Sequence, residues 1–225
     1  MISNKPERVF ESIEADHDTR RSTDSRESFD DRLNHILEAA TGVIARVGYE
    51  RASMRAVAKA AGVSLAGMYH YFDSKERMLF LIQFRTFNAL LNNLKEKLQG
   101  VGEPVEQLRV MIRSHLGYFA ANMAALKVCS HELDSLTGGA YDETRRVRLD
   151  YYNVCRSIVD RVLDAHARGR TIDRHVATMS MFGMLNWLYR WYDPKRGRAP
   201  TAIANQFADQ FLYGLLGRRE AEDAT

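Results

Sequence analysis

An all-helical fold follows from three observations on the sequence. Apolar residues recur at intervals of three and four along most of the chain, the spacing that aligns side chains on one helix face. No alternating apolar and polar stretch long enough for a strand interrupts them. Glycine, proline, serine and aspartate fall where those stripes begin and end, as helix punctuation requires. At 225 residues, 45% hydrophobic and 27% charged, the chain can bury one large or two modest cores. A formal charge of +3 is only mildly basic, so a nucleic-acid partner has to be argued from a motif. The two cysteines, Cys129 and Cys155, lie far apart and read as reduced core thiols. Neither a signal peptide nor an apolar membrane span occurs, which is the expectation for a cytoplasmic protein.

Residues 1–28 are polar and mixed in charge, with Val9, Phe10 and Ile13 as the one apolar cluster. They form either a disordered leader or a basic arm acting through Arg20 and Arg21. Asp16, Asp18 and Asp24 argue against the arm, because phosphate repels them. From Asp31 to Val47, Leu33, Ile36, Leu37, Ala40, Ile44 and Val47 make one stripe of an amphipathic helix, and Gly48 ends it. Tyr49 is expected to pack beneath that helix. Arg46 and Arg51 flank the turn, either solvated or touching phosphate.

The stretch from Ser53 to Glu76 reads as two short helices at an angle and the start of a third. Ser53 caps the first, in which Val57, Ala60 and Ala61 are expected inside and Arg55 and Lys59 outside. Gly62 supplies a left-handed stop, Val63 plugs the angle and Ser64 caps the second helix. At ~100° per residue, Leu65, Ala66, Tyr69 and His70 share one side of it, and Met68 and Tyr71 the other. A short helix with small groups first and polar aromatics later suits a major groove. Asp73 and Glu76 read as a capping box for the next helix. Lys75 in its first turn opposes the helix dipole, which a nearby phosphate would explain.

The run AVAKAAGVSLAGMYHYFDSKERML resembles the DNA-binding signature of the tetracycline-repressor (TetR) family of bacterial one-component regulators. The likeness spans about thirty residues and keeps the order of the alanines, Gly62, Val63, Ser64, Tyr69, Tyr71, Phe72 and Lys75. The family often has glycine where this chain has Ala66, so the base contact there transfers less securely. The resemblance implies that Ser53, Tyr69, His70 and Lys75 hold phosphates beside the cap Ser64. Arg55, Leu65 and Ala66 then approach base edges, with Arg55 the candidate for a guanine contact.

Beyond Glu76, Phe80, Phe84, Phe87, Leu91, Leu94 and Leu98 make one stripe, and Leu79, Ile82 and Leu90 a second. A helix apolar on two sides is covered on two sides, so this one is expected to join the DNA-reading head to a second domain. Pro104 opens a helix with Val105, Leu108, Met111, Ile112, Leu116 and Phe119 inside. Another is expected from Asn122 to Leu136, ending in a flexible Gly138-Gly139 pair. The next runs from Tyr141 to Ala167, with Leu149, Tyr152, Cys155, Ile158, Val159, Val162 and Leu163 inside and Gly169 as its stop. Asp173 caps a helix to Tyr192, which Pro194 breaks. Pro200 opens the last, with Ile203, Phe207, Phe211 and Leu215 inward and Gly217 closing it.

No catalytic constellation, metal site or cofactor motif stands out among the scattered histidines; Cys129 and His131 point to different helix faces. The segment from Met179 to Pro200 instead crowds methionines, tryptophans and tyrosines. It reads either as a dimer core or as a ligand pocket with Lys195, Arg196 and Arg198 at its lip. The run GMLNWLYRWYDPKRG is similar to the C-terminal region of TetR-family members that sense acyl-CoA thioesters. That likeness implies Arg190, Lys195, Arg196 and Arg198 at nucleotide phosphates, and Met179, Phe182, Met184 and Trp187 near an acyl tail or the dimer seam.

The expected organisation is a leader at 1–28, a helix-turn-helix head at 29–76, a ligand-binding and dimerisation domain at 77–217, and a tail at 218–225. The expected partners are double-stranded palindromic operator DNA, a second copy of the chain and a small apolar effector. Half-sites would lie one helical turn, ~34–36 Å, or a multiple apart. A drug-responsive regulator of efflux and a helical adaptor or lipid carrier without DNA binding are the competing readings.

Overall fold

The amphipathic stripes close into two apolar cores that share one helix. A computed structural model describes residues 29–166, 171–193, 195 and 198–216. The leader, the C-terminal tail, Gly169, Pro194, Gly217 and the Leu215 side chain lie outside the described residues. Helix α1 spans residues 29–47 and buries Leu33, Ile36, Leu37, Ala40, Val43 and Ile44. Gly48, at φ 82°, stops it by donating to the Ile44 carbonyl at 2.8 Å. Helix α2 (Met54–Ala61) begins at Ser53, whose Oγ accepts from the Ala56 amide at 3.1 Å. It ends at Gly62, at φ 64°, whose N–H reaches the Ala58 and Lys59 carbonyls. Helix α3 (Leu65–Tyr69) is capped by Ser64, which accepts from the Gly67 amide at 2.9 Å.

Helix α4 (Lys75–Lys97) belongs to both cores. Its Met78, Leu79, Phe80 and Ile82 floor the first, under α1, α2, Met68 and Phe72. Its Leu90, Leu91 and Leu94 enter the second, built with α5 (Pro104–Ala121), α6 (Met123–His131), α7 (Gly138–His166), α8 (Arg174–Asn186) and α9 (Pro200–Leu216). Short 3-10 turns, Leu133–Ser135 and Trp187–Arg190, follow α6 and α8. Helix α7 packs on α4, and α9 along α5. Val128 and Leu136 extend the first core beyond α4, so the head has no clean lower boundary at residue 76. Both cysteines are buried free thiols.

Several local expectations change. In α2 it is Ala58, not Ala60, that is buried, and Ala60 is exposed. Ser74 rather than Asp73 caps α4, accepting from the Arg77 amide at 3.0 Å. Glu76 forms no capping box, because its Oε1 accepts from the amide and hydroxyl of Thr137 at 2.7 and 2.8 Å. Gly138 and Gly139 are not a flexible pair after a helix: they form the first turn of α7. Helix α6 stops at His131 and α8 at Asn186, each continued by a tighter turn. Leu149 is 46% exposed rather than part of the core.

Candidate functional site

The head presents α3 on an apolar base. Met68 and Phe72 are fully buried, and Leu65 is half-buried. Arg55, Ser53, Ser64, Ala66, Tyr69 and His70 are all exposed, on two capped helices joined by a glycine turn. Five residues are too few to hold a helix in water, so α3 keeps its shape through the Ser64 cap and the Met68 anchor. Each serine cap uses an oxygen lone pair, which leaves the hydroxyl hydrogen free to donate.

Lys75 has partners within the chain. Its Nζ donates to the Tyr49 carbonyl at 3.0 Å and the Glu50 carbonyl at 3.4 Å, 4.1 Å from the centre of the Tyr49 ring. Those contacts account for a lysine at the start of α4 without invoking a phosphate. Burial, helped by Glu76, Glu50 and Glu132, pushes the Tyr49 phenol up and keeps it neutral. Arg51 turns back onto the Val47 carbonyl at 2.7 Å, and Arg46 is exposed.

The second core contains a cavity of about 550 Å³ between α4, α5, α6, α7 and α8. Its floor is His115, Phe119, Leu126 and Tyr151, all buried, and exposed Arg145, Leu149, Met179 and Trp187 form its rim. The Nε2–H of His115 donates to Asn186 Oδ1 at 3.2 Å, and its Nδ1 accepts the Tyr151 hydroxyl at 3.0 Å. That pairing requires the neutral ring. Burial enforces it by pushing the His115 pKa down to about 4. Burial likewise raises Tyr151 and takes Cys129 up to about 12, so both keep their protons.

Arg145 and Arg148 supply the charge, and no carboxylate occurs among the described lining residues. The Arg148 Nη1 donates to the Cys129 carbonyl at 2.7 Å and to Gln83 Oε1 at 3.4 Å, and its guanidinium stacks 4.7 Å from the Phe87 ring. Burial lowers its pKa, opposed by Cys129, Asp134 and Tyr141. Gln83, fully buried, donates to the Glu132 carbonyl at 2.9 Å. Glu132 Oε1 accepts the Tyr49 amide at 3.1 Å.

The expected ligand residues divide. Met179, Phe182 and Trp187 line the cavity. Met184 packs into the second core instead, and Arg190 lies 5.5 Å from the Trp187 ring, off the lining. Lys195 is exposed, and Arg198 borders a separate cavity with Trp191, Tyr192 and Phe207. Arg196 lies outside the described residues. The turn at Trp187–Arg190 redirects the chain onto α9 and carries this basic loop away. Sequence reasoning missed His115, Arg145, Arg148 and Tyr151. The signal available was Tyr151 at α7's apolar period, with Arg148 three residues before it.

Residues 36–82 match the family model for bacterial regulatory proteins of the tetR family, and residues 101–215 that of the tetracyclin repressor-like C-terminal domain. The fatty acid metabolism regulator protein of Bacillus subtilis is 23% identical over 181 residues, covering 80% of this chain and 93% of that protein. The crystal structure of the TetR family transcriptional regulator PfmR from Thermus thermophilus is similar at 30% identity and a TM-score of 0.71, covering 80% of this chain and 98% of that one. The structure of AibR in complex with isovaleryl coenzyme A and operator DNA is similar at 27% identity and a TM-score of 0.70, covering 82% and 98%.

Proposed function

The chain belongs to the TetR family of transcriptional regulators, and on that premise we propose a homodimeric repressor that an acyl-CoA thioester releases from its palindromic operator. The observation that carries the DNA half is the exposed set Arg55, Ala66, Tyr69 and His70 over the buried base Val57, Met68 and Phe72. In this reading Arg55 and Ala66 face base edges with Leu65 behind them, and Ser53, Tyr69, His70 and the remaining donor of Lys75 hold phosphates. The exposed apolar side chains Val176 and Met179 of α8, Trp187 of the turn after it and Tyr213 of α9 suit the contact with a second copy.

Two arginines, an apolar wall and no carboxylate among the described lining residues favour an effector that is apolar with an anionic part. An acyl-CoA has that character, and AibR was solved with one. A cationic drug does not, since Arg145 and Arg148 would repel it in a partly dry cavity. The effector would bind best to a conformation whose heads are wrongly spaced for the operator, and so shift the population away from DNA.

The test is selection of binding sites from a random duplex pool, followed by fluorescence anisotropy on the selected DNA. A palindrome is expected. Arg55→Ala is expected to cost about 1–3 kcal/mol on it and to relax preference at one base pair per half-site. Lys75→Ala should weaken binding to all sequences alike and lower the salt slope by about 1. Native mass spectrometry of the purified dimer is expected to show a bound anionic acyl compound. A selection that returns no preferred sequence removes the DNA half of the reading.

A further inference from the structure

Among the described residues no carboxylate lies within ion-pair distance of Arg148, although burial penalises its charge. Its Nε and Nη2 hydrogens have no acceptor there either, while both Nη1 bonds hold neighbouring helices together. One of those bonds closes the C-terminal turn of α6, whose last carbonyls have no partner within the helix. The other reaches the buried amide of Gln83 on α4. From Gln83 the contacts run to the Glu132 carbonyl, from the Glu132 carboxylate to the Tyr49 amide, and from the Tyr49 carbonyl to Lys75 Nζ. These bonds, joined through the covalent frames of Glu132 and Tyr49, connect the cavity wall to the turn between α1 and α2. They cross from one core to the other through groups held by donors or acceptors at each step.

Resting on the acyl-effector reading, we propose that Arg148 senses the effector: an anionic oxygen entering the cavity draws its guanidinium off the Cys129 carbonyl and Gln83, and so loosens the Glu132 hold on Tyr49 in the head. The anion takes the Nε and Nη2 hydrogens as a counter-charge within bonding distance, which Arg148 lacks among the described residues, and the guanidinium swings toward it off the 3.4 Å contact to Gln83. Once uncapped, the end of α6 no longer fixes Glu132. The Tyr49 amide then loses its acceptor beside the two helices that read DNA. The shared chemistry is an anionic oxygen, from either a CoA phosphate or a free carboxylate.

The test has a ligand-free arm and a binding arm. Gln83→Leu keeps the volume of the buried side chain and removes both amide bonds. Hydrogen–deuterium exchange of segment 48–52 is expected to quicken about tenfold, with α1 unchanged. Unchanged exchange at 48–52, or an equal rise throughout α1, overturns the relay. In the binding arm, palmitoyl-CoA, palmitate and methyl palmitate are titrated calorimetrically into wild type, Arg148→Met and Arg148→Lys. The charged probe that binds wild type is expected to lose about tenfold or more in Arg148→Met, to recover part of it in Arg148→Lys, and the ester to be indifferent. Loss for palmitoyl-CoA alone assigns the phosphate, and loss for palmitate the carboxylate. Wild-type affinity of Arg148→Met for the charged probes overturns the assignment. If no probe binds wild type, the acyl-effector reading falls, and the exchange arm still decides the relay.

Discussion

Replacing Phe72 with alanine is expected to lower unfolding free energy by about 3–5 kcal/mol and to remove operator binding. Phe72 is 1% exposed and lies between α3 and α4, with its amide on the Met68 carbonyl at 3.1 Å. It shares the first core with Val57, Met68, Met78 and Leu79. Truncation removes its transfer free energy and leaves a cavity that four helices of fixed spacing cannot fill. A domain has only about 5–15 kcal/mol to lose, so a cost of this size removes much of the head's stability and with it the placement of α3. Phe72→Leu should cost about 1 kcal/mol and keep binding, because most of the volume remains. Denaturant unfolding followed with anisotropy measures both. A loss below about 1 kcal/mol for Phe72→Ala would contradict the packing described.

Stability is also expected to fall by about 2 kcal/mol between pH 7 and pH 5 through His115 alone. The unfolded chain takes a proton on this residue near its ordinary 6.5, while the folded chain resists until about 4. Between those values the unfolded state binds more protons, so stability rises with pH across the window and is lost as pH falls. The full loss below pH 4 is about 3 kcal/mol. The loss is located in the cavity floor, because protonation of Nδ1 removes the acceptor for the Tyr151 hydroxyl. His115→Gln, which cannot titrate, is expected to flatten the curve over this window. Urea unfolding at several pH values compares the two proteins, and parallel curves would refute the assignment.

The residues that were legible in the sequence are those whose signal is local. The α1 stripe, the glycine stops at Gly48 and Gly62, and the serine caps at Ser53 and Ser64 all appear where periodicity and capping chemistry put them. The double stripe of α4 likewise foretold a helix shared between two cores. Alanine blurs such patterns: with Ala56, Ala58, Ala60 and Ala61 spread round α2, contrast between its faces is weak, and Ala58 and Ala60 exchange places. Glu76 and Lys75 followed no local rule, because their partners Thr137 and Tyr49 lie 61 and 26 residues away. The cavity was half legible. Met179, Phe182 and Trp187 announced themselves by type, but the basic loop after them was joined to the cavity by sequence adjacency alone. Arg145 and Arg148 lie on a helix rich in charge, where nothing local marks two arginines among many as lining a cavity.

Helix α4 carries a practical consequence for anyone exchanging parts between relatives. A splice placed just ahead of Lys75 would transplant the DNA reader without its floor, since Met78, Leu79, Phe80 and Ile82 would come from the recipient. The junction that respects the packing falls after Phe84, which stacks on Phe80, and even there Val128 and Leu136 have to match the incoming side chains. The DNA-reading head and the cavity-bearing core in this chain are therefore built on one shared rod rather than plugged together at a seam.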